Sequence, residues 1–397
     1  MYSAASLDLV AADLRRQPAL LADSRASVRA AVSQASRELG PRPSRIYLAG
    51  CGDSLDALAA VRFAWEQLLG LPVEAMPALT LSRYVLAAAP PDALVVALSQ
   101  SGTVSRVLEA ARRAVGGGLR VLVITGKPDS ALAREPVTAR LVTPFRKTSG
   151  VPGMASFVFN LAVLYELGAA LAEAWGGAAP AASREHAITQ TFAARAPADA
   201  AVLAPAAVRE QLDALPALLR DSLDSVWPVA AAHAAAIAAE PGVELLLGTG
   251  PNLATARFAA RKRFELTQRA AMVQETEEYA HDQIAMVGPH TPTLVFAPSG
   301  AASVRGAEVL DSLIELGCPV AVVTERGADL GLAQEPRFRY DVEAGLDELL
   351  SPLLQALVPQ TCTCELARLV GGSFYGYADP VVEALGDRLI YESDVIP

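Results

Sequence analysis

Lysine is almost missing from this 397-residue chain, with only Lys127, Lys147 and Lys262 present. Arginine carries the basic charge, and the formal net charge is −10. That balance argues against general nucleic-acid binding, which needs basic patches to contact phosphates. Aromatic residues make up 6% while hydrophobic residues reach 52%. Alanine fills much of the gap, which suits tightly packed helices on parallel strands. No uninterrupted apolar run of about twenty residues occurs, so no membrane span is expected. Met1 to Pro18 has Asp8, Asp13, Arg15 and Arg16 spread through it and no apolar signal core, so a cytoplasmic location is expected. Four cysteines do not make a disulfide framework at this length. Cys362-Thr363-Cys364 has neither a second pair nor a nearby His, so a structural role is expected and no metal site.

What is present is a repeat. Ile46 to Gly50 is an apolar strand running into Cys51-Gly52-Asp53-Ser54. Leu245 to Gly248 runs in the same way into Thr249-Gly250-Pro251-Asn252, offset by 198 residues (52 to 250). Ser101-Gly102 and Ser299-Gly300 keep that offset, and Val121 to Thr125 matches Val320 to Thr324 at 199. Three landmarks in one order at nearly one offset indicate a duplicated α/β domain.

Strands are predicted at 46–50, 73–76, 92–98, 119–125 and 140–143, with helices at 54–69, 102–114 and 153–175. Pro18 marks a break between two N-terminal helices. Gly176 to Ser183 reads as a seam, followed by a helical connector over 185–239. Strands are expected again near 243–248, 270–275, 292–297 and 318–324. Strands alternating with helices of this length imply a doubly wound parallel sheet, flavodoxin- or Rossmann-like, flanked by helices in each half. The domain organisation read from this is N-terminal helices (1–40), a first sheet domain (41–176), a connector (177–225), a second sheet domain (226–350) and a C-terminal helix and tail (351–397). The tail is expected to end irregularly around Tyr375, Tyr377 and Asp379-Pro380.

Ligands of such sheets bind beyond the carboxyl ends of the strands. Two first-half turns reach that edge: Cys51 to Ser54, and Ser99-Gln100-Ser101-Gly102-Thr103. One helix cap needs one hydroxyl, whereas Ser54, Ser99, Ser101 and Thr103 exceed that need. Hydroxyls clustered at helix starts suit a phosphate monoester. Gly50-x-Gly52 and Gly248-x-Gly250 lack the third glycine and the ribose-reading acid of a dinucleotide fold, so no nucleotide cofactor is expected. The second half keeps Pro298-Ser299-Gly300 but loses the Gln, and it adds a titratable cluster. Lys262 and Glu265 share a helix face, while Glu275, Glu277 and Glu278 precede His281. A Glu and a His suit proton transfer on a sugar phosphate, although the three glutamates near 277 read first as a solvated face. His186, His233 and His290 have no comparable surroundings and read as surface or packing residues.

Together these residues resemble the tandem SIS (sugar isomerase) domain proteins. The likeness is to the isomerase half of glutamine–fructose-6-phosphate aminotransferase and its stand-alone deaminase, deglycase and isomerase relatives. It runs from Gln17-Pro18 through Cys51-Gly52-Asp53-Ser54 to Ser99-Gln100-Ser101-Gly102, and includes Ser149-Gly150-Val151. It also includes Lys262-x-x-Glu265, with His281 sixteen residues beyond. The resemblance implies two tandem SIS domains and a metal-free, cofactor-free enzyme acting on a 6-phosphosugar, with amino sugars and sugar–amine adducts among its substrate class. Ser54, Ser99, Gln100, Ser101, Thr103, Val151 and Lys262 would contact substrate. Glu265 would move a proton between sugar carbons and His281 would assist ring opening, in a homodimer with shared sites. The competing implication is a non-catalytic phosphosugar-binding regulator. The chain departs from the pattern at Thr103-Val104, where the family has Glu-Thr, at Asp282-Gln283, where it has Gly-Pro, and at Phe258, where it has a second Glu. No lysine follows Lys262, and neither a glutaminase domain nor glutamine-dependent synthesis is expected.

Overall fold

The computed structural model describes residues 3–148, 151–177, 203–240 and 242–395. The chain divides into two compact units. One comprises Met1–Leu20, Thr148–Val158 and Ala214–Glu383, the other Leu21–Lys147, Phe159–Asp213 and Ala384–Pro397.

The second of these units holds a parallel sheet of β1 (Ile46–Gly50), β2 (Val73–Pro77), β3 (Leu94–Leu98), β4 (Arg120–Thr125) and β5 (Ala139–Val142), in the order β2-β1-β3-β4-β5. The other unit holds β6 (Glu244–Gly248), β7 (Ala271–Glu275), β8 (Thr293–Phe296), β9 (Val320–Glu325) and β10 (Phe338–Val342), ordered β10-β9-β8-β6-β7. Read from its other edge, that is the same path, the flavodoxin-like order of doubly wound sheets. Strands β1, β3, β6 and β8 are buried along their whole length. Helices on both faces favour apolar residues along them, so apart from Glu244 and Thr293, which open β6 and β8, these strands appear in the sequence as apolar runs. The order reverses between β1 and β3, and between β6 and β8. Those switch points place the loops after these strands at the ligand-binding edge.

The helices used below are α1 (Ala4–Arg15), α2 (Gln17–Glu38), α3 (Asp53–Leu69), α4 (Ser105–Gly116), α5 (Ala155–Ala174), α6 (Pro205–Ala239), α7 (Pro251–Thr267), α8 (Thr276–His281), α9 (Ser303–Glu315), α10 (Leu357–Val370) and α11 (Pro380–Tyr391). The break between α1 and α2 falls at Arg16, and Pro18 sits in the first turn of α2, where a missing N–H costs nothing. Helix α5 has the length and hydropathy of a membrane span, but 94% of its most apolar window is buried in protein. Its Glu166 pairs with Arg29 and Arg209, as suits a helix inside a protein core. The connector residues 185–202 lie outside the described residues, and α6 supplies the rest of the expected helix.

Three expectations change. Helix α4 starts at Ser105 rather than Gly102, because Gly102 has φ +64°, which an α-helix cannot use. Strand β10 went unpredicted. Only Tyr340 and Val342 along it are buried, so it has no apolar run. The tail is not irregular after Asp379-Pro380. Asp379 Oδ1 accepts the Val381 N–H at 2.8 Å and Pro380 opens α11, so that dipeptide is a helix cap and first position.

Candidate functional site

The loop after β1 turns sharply into α3. A Cβ on Gly50 would lie 2.9 Å from the Leu55 nitrogen, and Gly52 has φ +58°. Strand end and helix start therefore nearly touch, with Ser54 half-buried in the first turn. The loop after β3 is held by its own hydroxyls. Ser99 is buried, and its Oγ accepts the Gly102 N–H at 3.1 Å. Ser101 Oγ accepts from Thr103 N at 3.3 Å and lies 3.0 Å from Thr103 Oγ1. A Cβ on Gly102 would meet Ser130 Oγ at 2.1 Å, and the Gly102 carbonyl accepts from Leu132 N. The Gln100 side chain packs so tightly on Gly126 that a Cβ there would lie 1.9 Å from Nε2. Its buried Oε1 has no partner among the described residues.

Three of the four hydroxyls, those of Ser99, Ser101 and Thr103, are thus bonded within the turn itself. None of them caps α4, whose N-cap Val104 makes no side-chain bond. The first N–H groups of α4 have no side-chain cap from that residue, the arrangement that favours an anion at a helix start.

The other unit carries the titratable cluster. On α7, Lys262 is fully buried and pairs with Glu265, whose side chain is 21% exposed. The Lys262 ammonium lies 5.0 Å from the centroid of the Phe258 ring, a cation–π distance. Phe258 in turn stacks on Phe157 at 3.9 Å. Val151 is buried in an apolar cluster with Leu14, Met154 and Leu266; Ser149 and Gly150 lie outside the described residues. His281 ends the short α8, with its ring 68% exposed and Nε2 3.4 Å from Glu277 Oε1. Glu275 leaves the solvated-face reading. It caps α8 by accepting from Glu277 N at 2.6 Å and Glu278 N at 3.3 Å, and it accepts from Thr249 Oγ1 at 2.7 Å. Glu277 stays exposed and pairs with Arg305.

Sequence reasoning missed a buried network beside Lys262. Arg263 forms a fork with Glu244 at 2.7 and 3.1 Å, and it also reaches Thr363 Oγ1 and, at 3.3 Å, Cys362 Sγ. His233 is fully buried, with Nδ1 2.9 Å from Tyr340 Oη and 3.7 Å from Cys362 Sγ. Burial, then the positive charge of Arg263, pushes the imidazole down to about 3, so it is neutral. Burial pushes the Cys362 thiol up, which keeps it an unreactive packing group. His290 is exposed beside Glu240, and His186 lies outside the described residues. The one legible sign of this network was an acid, Glu244, opening an otherwise apolar strand.

Among known proteins, residues 42–170 match the SIS domain model. That match covers the stretch from just before β1 to within α5. The chain is 29% identical over 82% of its length to a glutamine–fructose-6-phosphate aminotransferase (isomerizing) of Mycolicibacterium paratuberculosis, 49% of which is covered. The chain therefore spans about half the length of the curated relatives it matches. Among solved structures, the C-terminal domain of the Francisella tularensis glucosamine-fructose-6-phosphate aminotransferase superposes with a TM-score of 0.73 at 16% identity. That match covers 91% of this chain and 96% of the other. A glucosamine-6-phosphate deaminase of Thermotoga maritima gives a TM-score of 0.62 at 19% identity, covering 91% and 96%. At such identities the likeness establishes the fold alone: two doubly wound parallel sheets flanked by helices.

Proposed function

We propose that this SIS-domain protein is an enzyme that processes a 6-phosphosugar by moving a proton between C1 and C2. The substrate is an amino sugar or sugar–amine adduct if an amine leaves, and an aldose or ketose if none does. The observation that carries the reading is the pair on α7: a buried lysine holding a partly exposed glutamate one turn away. A buried charge is costly unless paired, so a Lys262–Glu265 pair with one end open to solvent suits chemistry better than packing. The loop Ser99–Thr103, with Ser54, is the phosphate cradle of this proposal. It is supported by the α4 start without a side-chain cap and by the buried, unpartnered end of Gln100. A bound phosphate fixes the sugar, and positioning is then the loop's share of catalysis.

In this scheme Glu265 moves the proton through an enediol or enolamine, from C2 to C1 of an open-chain aldose or 2-amino aldose and from C1 to C2 of a ketose or its 1-amino adduct. Ammonia or an amine leaves only after hydrolysis of the resulting imine. His281 assists ring opening. Its exposure in the single chain suits delivery to a second copy, in keeping with the proposed homodimer.

A proton NMR time course with glucosamine 6-phosphate in D2O tests the reading. Fructose 6-phosphate and ammonium are the expected products if the enzyme is a deaminase. Loss of the C2 proton signal without ammonium makes it an isomerase. The absence of any exchange with glucosamine 6-phosphate, fructose 6-phosphate or glucose 6-phosphate, despite binding, would overturn the enzymatic reading in favour of a sensor.

A further inference from the structure

The loops after β3 and β8 leave their sheets by the same step. Ser99 N donates to Ile124 O at 3.0 Å, and Ala297 N to Val323 O at 2.9 Å. Beyond that point their chemistry separates. Gly126 follows β4 and makes room for Gln100, whereas the matching position at the end of β9 is Glu325. Glu325 Oε2 accepts the Ser299 N–H at 2.8 Å. Glu348, from the turn Glu348–Leu350, reaches the same loop, where its Oε2 accepts the Ala301 N–H at 2.7 Å. That carboxylate lies so close that a Cβ on Gly300 would stand 2.1 Å from the same oxygen.

Two half-buried carboxylates therefore sit on the backbone donors of a loop that precedes a 13-residue helix, α9, with no side-chain cap from its own N-cap, Ala302. Placing like charges together in a partly desolvated site is unfavourable unless N–H donors compensate. Burial, with Asp347 and Glu325 nearby, raises the Glu348 carboxyl above its usual range, while the Ala301 and Ala302 N–H groups pull it back. Two carboxylates also carry about the charge of one phosphate monoester, roughly −1.5 to −2.

We propose that the loop Pro298–Ser303 is a second anion cradle whose ligands are the chain's own carboxylates, Glu325 and Glu348, and that they close it to phosphate. The comparison rests on reading Ser99–Thr103 as the phosphate cradle; the experiment separates the two. Inorganic phosphate is titrated into full-length protein carrying 15N-labelled serine, glycine and alanine, as the native chain and as the double variant Glu325→Ala/Glu348→Ala. In the native chain the Ser299, Gly300 and Ala301 amides are expected to stay still. In the double variant they shift, and one additional phosphate binds per chain. If the double variant does not fold, Glu348→Ala is titrated with formate, which is expected to move the Ala301 amide and raise the melting temperature of the variant but not of the parent. A folded variant whose 299–301 amides ignore the anion overturns the proposal, as does a native chain whose 299–301 amides respond. Ser101 and Gly102, read in the same spectra, report on the first loop independently.

Discussion

Helices α3 and α7 are the same piece of scaffold put to two uses. Each has 17 residues and follows a fully buried strand through a glycine N-cap, with φ/ψ of 58°/−137° at Gly52 and 56°/−127° at Gly250. Along α3 the inward positions after Asp56 are apolar: Ala64 and Trp65 are fully buried, and the Trp65 indole donates to Leu164 O at 2.9 Å. The matching positions of α7 are Lys262 and Arg263, also fully buried, and Gln67 of α3 gives way to Glu265. Ile46, which opens β1, gives way to Glu244, which opens β6 and pairs with Arg263. At these matched positions the first-sheet unit has kept hydrocarbon, although it buries Asp56 and Glu109 elsewhere. The other has placed charge in its interior and closed its loop with carboxylates. Equal folds therefore carry unequal chemistry, and the inequality is where function is sought.

Replacing Glu265 with the residue that α3 has at that position breaks the comparison most severely. Glu265→Gln is expected to lower turnover of the phosphosugar by about 10²–10⁴-fold, the usual worth of a positioned general base, with ligand affinity kept. The control Gln67→Ala should leave turnover near that of the parent. Steady-state rates and a binding isotherm on each variant decide it. Parent-like turnover in Glu265→Gln would remove that residue from the proposed mechanism.

Next in size is the interior. Glu244→Gln leaves Arg263 buried without its counter-charge and is expected to cost about 3–5 kcal/mol of stability. Ile46→Val at the matching position should cost only about 0.5–1.5 kcal/mol. Denaturant unfolding of both variants checks the ratio. Comparable losses would mean that the charged interior of the second sheet is no more demanding than the apolar one.

That network also shows what the sequence could and could not reveal. Strands buried on both faces were legible because burial leaves no polar position along them, as in Leu94–Leu98 and Glu244–Gly248 after its first residue. Lys262 and Glu265 were legible because three residues is a helical contact distance. Arg263 meets Glu244 across 19 residues and Thr363 across 100, and no local pattern announces such a meeting. His233 sits among alanines, so nothing beside it in the chain hints at Tyr340 or Cys362. The carboxylates on the second loop were hidden for the same reason: Glu348 lies 47 residues from Ala301.

The loops offer a paired test of smaller size. Gly102→Ala forces a side chain into the left-handed region, at about 1–2 kcal/mol, and onto Ser130 and Thr125. Affinity for the phosphosugar should fall about tenfold or more, the equivalent of roughly 1.4 kcal/mol. Gly300→Ala needs no left-handed backbone, and its nearest clash is with the carboxylate and Cγ of the Glu348 side chain, which has to swing aside. Its phosphosugar affinity should stay within about twofold of the parent, a change of a few tenths of a kcal/mol as for most substitutions away from a site. Equal losses in the two variants would assign phosphate to both loops.

The smallest effect concerns pH, and its sign differs between the sheets. In the first-sheet unit, burial works against ionising Glu109, yet hydrogen bonds from Arg83 and Ser82 and the charge of Arg106 outweigh it and hold the carboxyl below its usual range. Its contribution to stability is present above the unfolded value, about 4.3, and is lost as pH falls through the lower folded one. Glu348 runs the other way. Burial raises its carboxyl, so the folded chain binds more protons than the unfolded chain, and its contribution is lost as pH rises through the folded value. Glu348→Gln keeps an oxygen for the Ala301 N–H and removes the titration. The melting temperature of the variant relative to the parent should therefore climb from about pH 4 upward and then level off. A difference that stays flat, or falls, across that range would show that the loop's donors fully compensate the buried charge. The second cradle would then hold its carboxylate as easily as the first-sheet unit holds Glu109.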